Sequence, residues 1–321
     1  LHSSYVDACR HEIASASLPP ATSVFFGGGT PSLLEPSLLT SILGEVTLAP
    51  GAEVTVECNP DTVTAPLLES YALGGVNRLS FGVQSMVPSV LASLGRTHVV
   101  DNVVASISSA RSAGFDNWNV DLIYGAAGES DDDWRRTVET VLSFDPPHVS
   151  AYALTVEAGT PLALDPSRAP DDDDQAAKYL AADALFCAAG LVSYEISNWA
   201  RPGFECRHNL LYWRQGDYRG IGCAAHSHSA GRRWSNVRTP ERYVAAIASG
   251  SSPVAASETL SVAERRIEGL QLQLRTRDGV PADALPSDDE LEGLVEPMGS
   301  SRVRLTAAGR LLANEVAVRL R

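Results

Sequence analysis

Strand-like and helix-like blocks alternate through the first half of the chain. Residues 24–26 form a short apolar strand that runs into Gly27, Gly28 and Gly29, and Pro31 stops it from continuing. Residues 36–48 carry helical spacing. Residues 53–58 alternate polar and apolar like a strand and stop at Asn59-Pro60-Asp61. A helix over 65–73 ends at Gly74 and Gly75, and 77–83 is the next strand. Asp101 is the expected N-cap of a helix reaching Ala113, with Gly114 closing it. Strands over 118–124, 148–154 and 191–194 then alternate with helices over 132–142 and 171–189, the latter acidic in its first turn.

Repeated strand–helix–strand units imply parallel strands joined by right-handed crossovers, so the chain is α/β, a barrel or a doubly wound sheet. The barrel is the favoured reading, in an incomplete form with six strand–helix units. Ligands in such folds sit at the C-terminal ends of the strands. Read off those ends, the residues are Gly28, Gly29 and Thr30, then Glu57, Gln84, Asp121 and Tyr152, with Arg96 shortly beyond the third strand. Three bare glycines let a ligand touch main-chain N–H and C=O groups directly. Two carboxylates and an amide can hold hydroxyl and amine groups, and an arginine pairs with a carboxylate in bidentate fashion. Singly, each of these residues is as readily a helix cap, a loop hydrogen-bonder or a surface charge.

Beyond residue 240 the pattern changes to helices with little strand, over 241–249 and 261–274. An acidic segment over 288–296 follows, and Thr306 is placed to cap a final helix. This reads as a small, mostly helical, winged-helix-like domain with a hairpin wing.

Charge narrows the partners. The 321 residues carry 25 Lys and Arg against 39 Asp and Glu, a net of −14. Such a chain repels phosphate backbones and anionic lipid, so neither nucleic acid nor a membrane surface is an expected partner. No apolar run approaches the about 20 residues of a membrane span, and the expected location is the cytoplasm. Cys9, Cys58, Cys187, Cys206 and Cys223 lie far apart, without a C-x-x-C clip. Free thiols in a reducing compartment are therefore expected, with no metal cluster made from this chain alone.

Longer motifs carry a resemblance. Phe26-Gly-Gly-Gly-Thr-Pro-Ser32, Glu57-Cys-Asn-Pro-Asp61, Arg78-Leu-Ser-Phe-Gly-Val-Gln-Ser85 and Asn119-Val-Asp-Leu-Ile-Tyr-Gly125 resemble radical S-adenosylmethionine proteins of the oxygen-independent coproporphyrinogen III oxidase group. His208-Asn-Leu-Leu-Tyr-Trp213 is similar to the H-N-x-x-Y-W heme-binding signature of that group's heme chaperone branch, the HemW type. Tyr194-Glu-Ile-Ser-Asn-Trp-Ala200 and Gly220-Ile-Gly-Cys-Ala-Ala-His-Ser-His228 look like the same branch.

The resemblance implies a partial TIM-like barrel over 1–200 without its first strand and cluster loop, a heme-motif segment over 201–239 and a C-terminal domain over 240–321. It implies S-adenosylmethionine at the rim. Gly28, Gly29 and Thr30 would meet its amino group, and Glu57, Gln84, Arg96 and Asp121 its carboxylate and ribose. The family's C-x-x-x-C-x-x-C loop for a [4Fe-4S] cluster is not in this sequence, which opens on Leu1 inside an expected helix. An upstream segment bearing that loop is expected, and a natural cluster-less member is the alternative. Only the longer protein would then hold the cluster.

The same resemblance makes His208 the expected ligand to heme iron, with Tyr212 and Trp213 packing on the porphyrin. From their place in the sequence, His226 or His228 would be a second ligand or, equally, would serve structure after the Gly220-Ile-Gly turn, and Arg207 and Arg214, on charge and proximity alone, would pair with propionates. The implied function is a heme chaperone that passes heme to an acceptor protein, with self-association as a homodimer left open. The rivals are a coproporphyrinogen III dehydrogenase using radical chemistry and a sensing module that has lost the cluster.

Overall fold

The computed structural model describes residues 2–157, 159–165, 168–286 and 289–321. Leu1 and Asp288, the first residue of the expected acidic segment, lie outside them. The first region runs α1 (His2–Ser15), β1 (Ala21–Phe26), α2 (Pro36–Leu43), β2 (Leu48–Cys58), α3 (Ala65–Leu73), β3 (Arg78–Gln84), α4 (Pro88–Ser93), α5 (Val100–Ser112), β4 (Trp118–Tyr124), α6 (Asp131–Ser143), β5 (His148–Ala153), α7 (Asp172–Ala188), β6 (Val192–Glu195) and β7 (Asn198–Ala200). These strands form one curled half-barrel in the order β1-β2-β3-β4-β5-β7-β6, with β1 through β5 parallel.

Period-two alternation divides each strand between two environments. Val54, Val56 and Cys58 of β2, Leu79, Phe81 and Val83 of β3, Val120 and Leu122 of β4, and Val149 and Ala151 of β5 pack outward. There they join Leu39, Leu68, Ile107, Val138 and Phe186 of the surrounding helices in the main core. Each buried Val, Leu, Ile or Phe among them contributes about 1.5–3 kcal/mol by leaving water. The intervening residues turn inward. They are mostly polar, and they make the wall of a cleft.

Local signals set the helix ends. Thr64 accepts from the Leu67 N–H at the start of α3, and Ser130 and Asp133 form a capping box on α6. Two helix expectations need correction. Asp101 lies inside the first turn of α5, and the N-cap is Val99 with no side-chain hydrogen bond. The helix expected to reach residue 48 stops at Leu43, because β2 begins at Leu48 to pair Ala21 with Leu48. The sixth strand forms, but it does not pair with β5. The tight turn after β6 sends β7 back between them, antiparallel to both.

The chain continues through α8 (Arg207–Trp213), β8 (His226–Ser229), β9 (Arg232–Asn236), α9 (Pro240–Ala248), β10 (Val254–Thr259), α10 (Val262–Leu274), β11 (Val280–Pro281), β12 (Val295–Met298), β13 (Arg302–Leu305), α11 (Ala307–Leu311) and α12 (Ala313–Ala317). Two three-stranded sheets, β10-β9-β8 and β11-β13-β12, add more strand than the sequence pattern indicated. Thr306 caps α11 by accepting from the Gly309 N–H. No helix among the described residues is long and apolar enough to cross a membrane.

One buried carboxylate ties the first helix to the later segments. Glu12 of α1, 3% exposed, accepts from Arg219 Nη2 at 2.8 Å, from the Gly222 N–H at 3.4 Å and from the Tyr243 hydroxyl of α9. Glu12→Ala strands three donors, and a loss of about 2–4 kcal/mol in urea unfolding is expected. A change below about 0.5 kcal/mol would mean that α1 is held by its apolar contacts alone.

Candidate functional site

The inward residues enclose a cleft of about 490 Å³ that opens at the C-terminal ends of β1–β5. At its rim, Gly28 and Gly29 have φ of +79° and +99°, which only glycine adopts without strain. No atom lies within 4 Å of where a Cβ on either would stand, so this backbone faces open space. Gly27 differs: a Cβ there would meet Phe25 at 2.5 Å and Glu57 Oε1 at 3.0 Å, so the chain must be bare for Glu57 to come close. Glu57 Oε2 accepts from the Gly28 N–H at 3.2 Å. Burial first, and then the nearby Asp121, push its pKa up.

Gln84 ends β3 with a φ of +65°, at an irregularity in the β3–β4 register. A non-glycine residue held there is strained, and its amide nitrogen lies over Gly82, 3.0 Å from where a Cβ on that glycine would stand. Asp121 accepts from Ser80 Oγ at 2.8 Å and Asn119 Nδ2 at 2.7 Å. Its removal from water nevertheless pushes its pKa up. Gly29, Thr30, Glu57, Gln84, Arg96, Asp121 and Tyr152 all line this one cleft. Gly28 stands beside it through its bond to Glu57.

Below the rim a directional hydrogen-bond chain crosses the floor. The Cys206 N–H donates to the Tyr194 hydroxyl at 3.3 Å, which sits 2.8 Å from His148 Nε2. His148 Nδ1 lies 2.6 Å from Asn119 Oδ1, and Asn119 Nδ2 donates onward to Asp121. This order needs a neutral His148 with its proton on Nδ1. Burial, aided by Arg78, pushes its pKa well down, consistent with that form. The Cys58 and Cys206 thiols are pushed up to about 12 and about 11, chiefly by burial, so both stay protonated.

The helix α8 closes the cleft's side. Glu53 of β2, 1% exposed, accepts from the Arg207 N–H at 3.2 Å, the His208 N–H at 3.1 Å and the Cys206 thiol at 3.5 Å. A carboxylate here satisfies helix-end donors and meets the positive end of the helix. His208 then lies on β1: its ring stacks on Phe25 at 5.2 Å, and Nδ1 is 3.0 Å from Ser23 Oγ. Its Nε2 is 3.0 Å from the Tyr212 hydroxyl at the outer surface. Burial pushes the His208 pKa down to about 4, with Glu53 opposing and Arg78 adding to the shift.

The other heme-motif expectations fall differently. Tyr212 is exposed and Trp213 half-buried, and, like His208, neither lines the cleft. His228 is buried with Nδ1 2.9 Å from the Gly216 carbonyl and Nε2 accepting from the Gly231 N–H, so both ring nitrogens serve the fold. His226 is exposed on β8. Arg214 faces Asp278 at 3.6 Å, and Arg207 projects outward, 3.9 Å from Glu53. Sequence reasoning passed over Phe25, Glu53, Arg78, Ser80, Asn119, His148 and Ser150. Their signal was the alternation itself: each stands an even number of residues before a rim residue on its own strand, or beside one.

The chain matches the radical SAM superfamily over residues 4–141. It is 42% identical to the heme chaperone HemW of Mycobacterium tuberculosis, over 95% of this chain and 82% of that one. It is 33% identical to the heme chaperone HemW of Bacillus subtilis, over 97% of this chain and 89% of that one. Among solved structures, coproporphyrinogen III oxidase (HemN) from Escherichia coli, a radical SAM enzyme, covers 99% of this chain and 82% of its own with a TM-score of 0.84. At 20% identity that likeness is one of fold. The chain therefore belongs to the HemW family of heme chaperones within the radical SAM superfamily.

Proposed function

We propose that this chain is a cytoplasmic heme chaperone that binds heme through His208 and hands it to an acceptor protein. The observation that carries the reading is the state of His208 within a chain so similar to named heme chaperones. Its imidazole is neutral, oriented by Ser23 and Phe25, and its Nε2 meets only a hydroxyl at the surface. Neutral imidazole is the form that ligates heme iron. Tyr212 must release Nε2 for that to happen, which makes α8 a reversible holder suited to passing heme on.

The superfamily implies S-adenosylmethionine and a [4Fe-4S] cluster. The rim fits the first: Gly28 and Gly29 face open space, and Glu57, Gln84, Arg96 and Asp121 offer partners for an amine, a carboxylate and ribose hydroxyls. When bound and reduced beside a cluster, S-adenosylmethionine supplies radical chemistry. This chain's residues do not fit the cluster: its cysteines are scattered, and no group of three metal-ligating side chains stands together among the described residues. The heme-handling reading is built without it.

Two measurements test the reading. In hemin titrations followed by Soret absorbance, His208→Ala is expected to weaken binding at least tenfold. Tyr212→Phe, by freeing Nε2 of a bond worth about 1 kcal/mol, is expected to tighten it by about fivefold. Equal titrations for the wild type and His208→Ala would overturn His208 as the ligand.

The second is a pH series. The folded pKa of His208 lies below the ordinary histidine value of about 6.5. The neutral form is therefore kept as pH falls through 6.5 and is lost only as it falls through about 4. The His208-dependent Soret band is expected to persist at pH 5.5. Loss with a midpoint near 6.5 would show an imidazole that is free in solution.

A further inference from the structure

The floor of the cleft holds an arginine whose hydrogen-bonding capacity is unspent. Arg78 opens β3 and is 2% exposed, and its guanidinium makes no hydrogen bond or ion pair with any described residue. Its Nε and Nη2 are enclosed without a partner. Nη1 is not enclosed in this way, and the residue lines the cleft beside Ser80, Asn119, Ser150 and Asn209. On the neighbouring strand Thr55 is in register with Arg78, and its hydroxyl is enclosed and unpartnered too. Buried polar groups are almost always satisfied, so an unmet cation and hydroxyl side by side point to a missing partner.

The protein's own acids do not supply it. Glu53 is occupied by the N–H groups of Arg207 and His208, and Asp121 by Ser80 and Asn119. Neither comes within ion-pair distance of the guanidinium. Burial opposes the charge on Arg78, but the field of the nearby acidic groups, in which Glu53 and Asp121 are the carboxylates, more than offsets it, so the group stays a cation. That same negative field disfavours a dianion, because each further charge on the ligand is repelled. A neutral His148 adds no second cation. At the rim, Arg96 offers a separate cation on the same cleft.

We infer that the cleft floor is a binding site for a single monoanionic carboxylate, anchored by Arg78, distinct from the rim residues around Gly28 and Glu57. A carboxylate entering the cleft meets Nη1 first. A turn of the guanidinium presents the Nε–Nη2 edge, the side-on pair that grips a carboxylate in bidentate fashion. The arm comes either from a porphyrin propionate or from a free carboxylic acid. The site itself does not rest on the heme reading, since the unpartnered guanidinium carries it.

The test is a titration of the whole chain with sodium propionate, propionamide and inorganic phosphate, followed by calorimetry and thermal unfolding. Saturable millimolar binding of propionate is expected, with propionamide and phosphate at least tenfold weaker. Equal effects of propionate and propionamide, or phosphate binding as well as propionate, would overturn the assignment, and both comparisons use the wild type alone. Arg78→Gln is expected to abolish the propionate effect and Arg78→Lys to retain part of it. An unchanged effect in a folded Arg78→Gln would also overturn the site. Hemin against its dimethyl ester then identifies the source. A tenfold preference for the free acid, lost in Arg78→Gln, assigns a porphyrin propionate. No preference alongside intact propionate binding assigns a free carboxylic acid.

Discussion

The grip of Glu53 on the start of α8 is the constraint on which the rest of the site depends. A carboxylate 1% exposed is costly unless its oxygens are satisfied, and here two backbone N–H groups and a thiol satisfy them. Those donors are the ones a helix leaves unpaired at its first turn, so strand and helix each resolve the other's deficit. The pairing fixes where residue 208 lies along β1. Everything attributed to the imidazole follows from that position: the stack on Phe25, the bond to Ser23, the low pKa and the outward Nε2.

The same half-barrel serves two purposes because its strands have two faces. Outward residues build an apolar core with the helices, while inward residues remain polar and pass hydrogen bonds from α8 to Asp121 at the rim. A polar interior of this kind is stable only when nearly every group is matched. Most are, and among the described residues Arg78, Thr55 and the Asn198 Oδ1, in register with Ser150, are inward exceptions. A chain that handled only its own packing would have little use for an unmatched cation beneath an open cleft.

Much of this was legible from the residues. The alternation over 53–58, 118–124 and 148–154 identified strands, and reading their C-terminal ends brought Thr30, Glu57, Gln84, Arg96 and Asp121 to one cleft. What was missed has physical causes. Glu53 reads as an ordinary alternating polar residue, since its importance comes from a helix about 150 residues away. The strand β10, Val-Ala-Ala-Ser-Glu-Thr, lies almost wholly exposed and lacks the apolar alternation that announces a half-buried strand. β7 spans three residues, too few for a period to show. For His228 the sequence left a ligand and a structural role equally open, and the structure decides for the second, since the Gly216 carbonyl and the Gly231 N–H already hold both its nitrogens.

The most direct test of the central claim is resonance Raman spectroscopy of the ferrous heme complex of wild-type chain and Glu53→Gln, with fold checked by circular dichroism. The wild type is predicted to show the iron–imidazole stretch of a histidine-ligated heme. In Glu53→Gln, where α8 loses its anchor, that band is predicted to vanish or broaden while the barrel stays folded. An identical band in both proteins would show that His208 does not depend on Glu53 for its placement, and a wild type without the band would contradict histidine ligation itself.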